Sequence, residues 1–178
     1  MLINLFKKYD ERPRIKIEAT VLDKILDGCS LVFLLLMLAM VFQNYADLPN
    51  QIPTHFGDKG NVDDYGKKQS ILILPVLGIA LFVGLIFLYK IPHKFNYIVK
   101  ITPKNAEQQY RLATRMMRFV NLFVMLIFYF IVYKIINSAN NQTTPIMDKW
   151  FTPMVLAIAL IGGLSVFALS LLKNKKSK

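Results

Sequence analysis

His55, Asp58, Asp63 and Asp64 fall close together in the run IPTHFGDKGNVDDYGKK, Ile52 to Lys68, and no other group of side chains in the chain so resembles a chemical site. One imidazole and three carboxylates in a turn-rich loop could hold a divalent cation: hard oxygens suit calcium or magnesium, and the nitrogen favours zinc or manganese. The spacing fits no zinc or calcium loop, so no metal ligand is assigned. The preferred reading bonds His55 to its own loop and uses the aspartates as turn caps. Enzyme signatures are missing elsewhere: there is no HExxH, no GxSxG around Ser165 and no phosphate-binding glycine loop. The two histidines, His55 and His93, fall on opposite sides of the membrane in the topology derived below, so no acid and base can meet. These residues predict no enzyme, no catalytic set and no cofactor.

The elements that must hold this loop are written in hydrophobicity. Hydrophobic residues make up 54% of the 178, and four segments carry no charge: Cys29 to Tyr45, Ser70 to Tyr89, Phe119 to Tyr133 and Phe151 to Leu172. A helix rising about 1.5 Å per residue needs roughly 20 apolar residues to cross the hydrocarbon. The second and fourth reach that length unaided. The first starts from about Ile25 and the third runs past Tyr133 through Ile136, placing Asp27 and Lys134 near an interface, where a lysine can snorkel. SILILPVLGIALFVGLIFLY and TPMVLAIALIGGLSVFALSLL are apolar on every side, as lipid-exposed spans are and half-buried soluble helices are not. The expectation is an all-α fold: one integral membrane domain, residues 1–178, built as a four-helix transmembrane bundle with spans at about 25–46, 70–90, 118–137 and 151–172. No ionisable group sits mid-bilayer, which argues against a transporter or proton pump. Pro75, Gly78, Gly84, Gly162 and Gly163 read as places where helices kink or approach closely.

The net charge of +11 is first a topology signal. The segments before the first span, between the second and third, and after the fourth hold 17 of the 22 Lys and Arg residues. Both termini and the basic loop 91–117 are therefore expected in the cytoplasm, and the loop 47–69 outside, in a multi-pass protein of the inner (cytoplasmic) membrane. The partners this charge implies are membrane lipids, not nucleic acid. Cys29 is the lone cysteine, so no intramolecular disulfide forms. Leu26-Asp27-Gly28-Cys29 is not a lipidation box, because the apolar run follows Cys29 instead of preceding it.

Locally, residues 1–14 read as a polar arm. Ile15, Ile17, Val21, Leu22, Ile25 and Leu26 recur at near-helical spacing, which predicts an interfacial helix leading into the first span, or an ordinary frayed helix start. Leu48-Pro49 and Ile52-Pro53 stop the first helix, and Gly57, Gly60 and Gly66 then allow tight turns, so the outer motif is a short ordered loop or hairpin. Asn105 to Arg118 reads as a cytoplasmic amphipathic extension of the third helix. Its Arg111, Arg115 and Arg118 fall on one face, for anionic lipid head groups or a cytoplasmic partner.

LPNQIPTHFGDKGNVDDYGKK resembles the LP-x-x-IP-x-HF-x-x-x-G-x-x-D-x-x-G-x-K pattern of a bacterial membrane domain of unknown function, best known from SdpI-like toxin-immunity proteins. The match carries Leu48, Pro49, Ile52, Pro53, His55, Phe56, Gly60, Asp63, Gly66 and either Lys67 or Lys68. PHKFNYIVKITPKNAEQQYRLATRMMR is similar to the cytoplasmic loop of short members of that family. The resemblance implies a non-catalytic membrane protein whose outer loop, through Pro49, Pro53, His55, Phe56, Gly60, Asp63, Gly66 and Lys67, recognises a peptide toxin or membrane partner. Two alternatives stand beside it: an accessory subunit of a larger membrane complex, and a metal-dependent membrane enzyme built on His55 and Asp63.

Overall fold

A computed structural model describes residues 12–57 and 61–140. Helix α1 (Val21–Asn44) leads into strands β1 (Gln51–Phe56) and β2 (Val62–Lys67). A 3-10 turn (Lys68–Leu72) then opens into α2 (Ile73–Leu88), and α3 (Ala106–Ala139) follows a loop with a short 3-10 turn at Pro92–Lys94. Three helical stretches, Val21–Asn44, Lys68–Leu88 and Ala106–Ala139, are long and apolar enough to cross a membrane. The fourth expected span, 151–172, lies outside the described residues. The all-α expectation is corrected by the antiparallel β1–β2 sheet. Helix periodicity cannot operate between Leu48-Pro49 and Ile52-Pro53, and backbone groups there find partners across a hairpin instead.

At the beginning of α1 the interfacial helix, one of the two expectations for this stretch, does not form. Residues 13–20 have no regular structure, and the helix starts only at Val21. Thr20 explains the boundary. Its hydroxyl accepts from the Asp23 N–H, and the Asp23 carboxylate accepts from the Thr20 N–H at 2.9 Å, a reciprocal capping box. Upstream, Pro13 and the β-branched Ile15 and Ile17 weaken helix formation, and the backbone is drawn away: Arg111 donates to the Glu18 carbonyl at 3.2 Å.

Buried positions on α1 fall at Asp23, Leu26, Ser30, Leu34, Met37 and Val41, a stripe at three- and four-residue spacing. It packs on a matching stripe of α3 including Thr114, Arg118, Asn121, Met125 and Val132. Asp23 meets Arg115, Phe33 meets Tyr129 with ring centroids 5.6 Å apart, and Val41 shares a core with Ile136, so the two helices run parallel. α2 returns alongside them, exposing Val76, Leu77, Ile79, Leu81, Val83 and Phe87. α3 has 34 residues, about 51 Å of helix against roughly 30 Å of hydrocarbon, so it must project beyond one face of a membrane. Its projecting first turns carry a small second core in which Tyr97 and Val99 of the preceding loop, with Ile17, pack on Ile101, Ala106 and Tyr110.

Polar side chains within the spans bond mostly to their own helices. Ser30 donates to the Leu26 carbonyl at 2.8 Å, Asn44 to Met40 at 2.8 Å and Asn137 to Tyr133 at 2.8 Å, each satisfying a group that hydrocarbon would leave stranded. Gly78 is where α2 approaches α1: an added Cβ would lie 2.7 Å from Met37 Cε. That contact is with the flexible end of a side chain, so Gly78→Ala should be tolerated. Gly78→Leu should lower thermal stability in detergent by about 1–3 kcal/mol through overpacking, while the same change at Gly84, which has nothing within 4 Å, should leave it unchanged.

Candidate binding surface

The hairpin closes one end of the bundle. Leu48 and Ile52 are buried with Ile71 in the core that contains Val41, Ile135 and Ile136, and Pro53 is fully buried beside them. Gln51 pairs with Lys67, Ile52 with Gly66, Pro53 with Tyr65, His55 with Asp64 and Phe56 with Val62, with irregularities on either side of His55. The bulge leaves His55 exposed beside Thr54, while Phe56 turns partly inward. Gly66 is required by its partner strand, since a Cβ there would fall 2.7 Å from Thr54 Cγ2.

His55 and Asp63 meet across the strands. The Nδ1 N–H donates to the Asp63 carboxylate at 2.5 Å, with side chains 69% and 41% exposed, so water screens the pair and it contributes little to stability. The Asp64 carboxylate accepts from the Tyr65 N–H at 2.8 Å, and Tyr65 itself is 58% exposed. Two lysines seal the base of the hairpin. Buried Lys134 lies 4.3 Å from the Phe56 ring centroid, and Lys68 lies 5.0 Å from that of Tyr45 while donating to its carbonyl at 3.4 Å.

The residues expected to form the outer site therefore divide by role. His55 and Asp63 come together and, with Lys67, face solvent; Pro49 is exposed apart from them. Pro53 is buried, Phe56 is half-buried over Lys134, and Gly66 packs on Thr54, so these three shape the hairpin. Gly60 and Asp58 lie outside the described residues. Among the described residues no group of three or more His, Cys, Asp and Glu is placed to hold a metal ion. Thr54 and Tyr65 are exposed members of this surface that sequence reading missed. The signal for them was short, because VDDYGK shows no alternation of apolar and polar residues.

The opposite end of the bundle gives the three arginines partners within the chain. Arg115 Nε donates to Asp23 at 2.9 Å and its NH2 group to the Thr20 hydroxyl at 3.1 Å. Arg118 Nε donates to Asp27 at 3.0 Å and lies 4.2 Å from the Tyr89 ring centroid, while the Tyr89 hydroxyl donates to the same carboxylate at 3.1 Å. Arg111 pairs with Glu107 at 2.9 Å. The expected single face exists, but α1 and not a head group occupies most of it: only Arg111 and Arg115 stay about a third exposed. Asp23 and Asp27, one turn apart on α1, were the legible signal, being carboxylates at the edge of an apolar span. Beside this end, Arg12 donates to the carbonyls of His93 at 3.0 Å and Phe95 at 2.6 Å, fastening residues 12–20 to the loop. Burial, aided by Arg14, Lys94 and Arg12, holds the His93 imidazole below its ordinary pKa, and burial raises the Tyr97 phenol.

Residues 32–79 match a domain of unknown function (DUF1648), a stretch running from the second half of α1 through the hairpin into the first half of α2. No curated protein and no solved structure matches the chain.

Asp23 is 2% exposed, so removing its cation strands a buried carboxylate. Arg115→Met should cost about 3 kcal/mol of stability, and adding Asp23→Asn should recover part of it; a double-mutant cycle by thermal unfolding in detergent measures the coupling.

Proposed function

We propose that this chain is a small, non-catalytic integral membrane protein of the SdpI-like immunity type, whose hairpin stands outside a bacterial inner membrane and recognises a peptide toxin or a membrane partner. The observation that carries the reading is how the hairpin is mounted. Leu48, Ile52 and Pro53 anchor it in the core, while Thr54, His55, Asp63, Asp64, Tyr65 and Lys67 are left exposed on a fixed backbone. A surface held this way spends little ordering entropy on binding, and an exposed tyrosine is a common anchor. The matched stretch 32–79 has the hairpin near its middle, as expected if the hairpin is what the domain presents. The distribution of Lys and Arg supports the outward placement, with both termini inside and the apolar segment 151–172 supplying a fourth span.

The second reading, an accessory subunit, draws its support from the exposed apolar face of α2. Copurification of a stoichiometric companion in mild detergent would favour it.

Expression in a sensitive bacterial host, challenged with the secreted products of a toxin-producing strain, tests the immunity reading. The chain should raise survival, and His55→Ala with Tyr65→Ala should abolish that gain at unchanged membrane levels, through a loss of about tenfold or more in affinity. Survival unaffected by expression, or by the double substitution, overturns it.

A further inference from the structure

The hairpin has two strands and therefore two edges, and they are not alike. Lys68 N–H donates to the Asn50 carbonyl at 3.0 Å, which marks Asn50 and Lys68 as a bonded pair. Bonded and non-bonded pairs alternate in an antiparallel ladder, so Ile52–Gly66 is bonded, while Gln51–Lys67 and Pro53–Tyr65 are not. The N–H and C=O groups of Tyr65 and Lys67 consequently point away from β1. On the far side of β1 the equivalent position is Pro53, buried and without an N–H, which closes that edge to a further strand. Among the described residues the edge of β2 has no such block. Asp63, Asp64, Tyr65 and Lys67 are exposed, and Tyr65 and Lys67 stand two residues apart, the repeat at which a neighbouring strand would meet them.

The Tyr65 N–H shows what this edge seeks. It already holds an acceptor, the carboxylate of Asp64 at 2.8 Å, in the place a strand carbonyl would take. Replacing that carboxylate by a peptide carbonyl would release an exposed negative charge at the edge, and a basic side chain on the incoming strand would neutralise it. We propose that the free edge of β2 binds an extended basic peptide by strand addition, with the main chain of Tyr65 and Lys67 pairing with the peptide and Asp64 turning from the Tyr65 N–H to a peptide Lys or Arg. This rests on the reading of the hairpin as the recognition surface and specifies the class of ligand and its mode of capture.

The test uses the full chain in lipid nanodiscs and a capped seven-residue peptide alternating lysine and valine. A second peptide of identical sequence and charge carries an N-methyl group on every main-chain amide, so it has no N–H to offer from either edge and cannot form a ladder. The unmodified probe should slow hydrogen exchange at the Tyr65 and Lys67 amides, and the methylated probe should not. Asp64→Asn should weaken binding by about tenfold, as should Tyr65→Pro, which removes the outward N–H at a non-bonded position; each loss is of the size of one charge-assisted or main-chain hydrogen bond. Should Tyr65→Pro fail to fold, Asp64→Asn and the methylated probe still decide. Equal protection by both probes, or unchanged binding to Asp64→Asn, overturns strand addition. So does concentration-dependent protection without any probe, which would assign the edge to a second copy of the chain. The recognition reading fails separately, when the survival assay ignores His55→Ala and Tyr65→Ala.

Discussion

Parallel helices align their dipoles and gain nothing from it, so α1 and α3 need other reasons to lie side by side. At one end two carboxylates from α1, Asp23 and Asp27, take two guanidinium groups from α3, Arg115 and Arg118. Asp23 also sits in the first turn of α1, where negative charge offsets the positive pole of the helix. Along the middle, Leu34, Met37 and Val41 interlock with Met125 and Val132. Without that pairing the hairpin would lack its floor, because Ile52 and Leu48 are buried only where α1 and α3 end together.

The hairpin and the arginine end solve the same problem in different ways. Each must end a helix pair at a boundary between oil and water, where backbone and charged groups still need partners. At the arginine end the solution is ionic: capping box, two salt bridges, and a tyrosine donating to one of the carboxylates. At the hairpin end it is a backbone ladder, with lysine side chains laid over Phe56 and Tyr45. The consequence is an asymmetric molecule. One end has spent its charges on itself, and the other carries an exposed polar surface whose outer strand is, among the described residues, paired on one side only.

Much of this was legible in the residues. The apolar runs that became α1, α2 and the second part of α3 could be read from length alone, since few alternatives exist for twenty uncharged residues. The long extension at the start of α3 was visible in its unbroken helix-forming stretch after Pro103, and the turn-rich loop in its glycines and prolines. The spacing of apolar residues over Ile15 to Leu26 leaves an interfacial helix and a frayed helix start both open, because it fits a helix equally well before and after Thr20; only the Thr20–Asp23 box decides the boundary. The arginine face reads as one for lipid head groups or a cytoplasmic partner because a basic stripe carries no record of which carboxylates approach it. Those carboxylates lie more than 90 residues away.

The sequence by itself determined which segments prefer oil, where turns interrupt them and which end of each span is basic, because transfer free energy and backbone sterics are properties of local chain. Tertiary structure decided which face of each helix turns inward. A span that is apolar all round favours no direction by hydrophobicity, so the choice falls to shape and to polar partners: Gly78 admitting Met37, Arg115 finding Asp23, Arg118 finding Asp27. It also decided that Pro53 is buried while His55 and Tyr65 are exposed, because the way the hairpin sits on the ends of α1 and α3 follows from contacts distant in the chain.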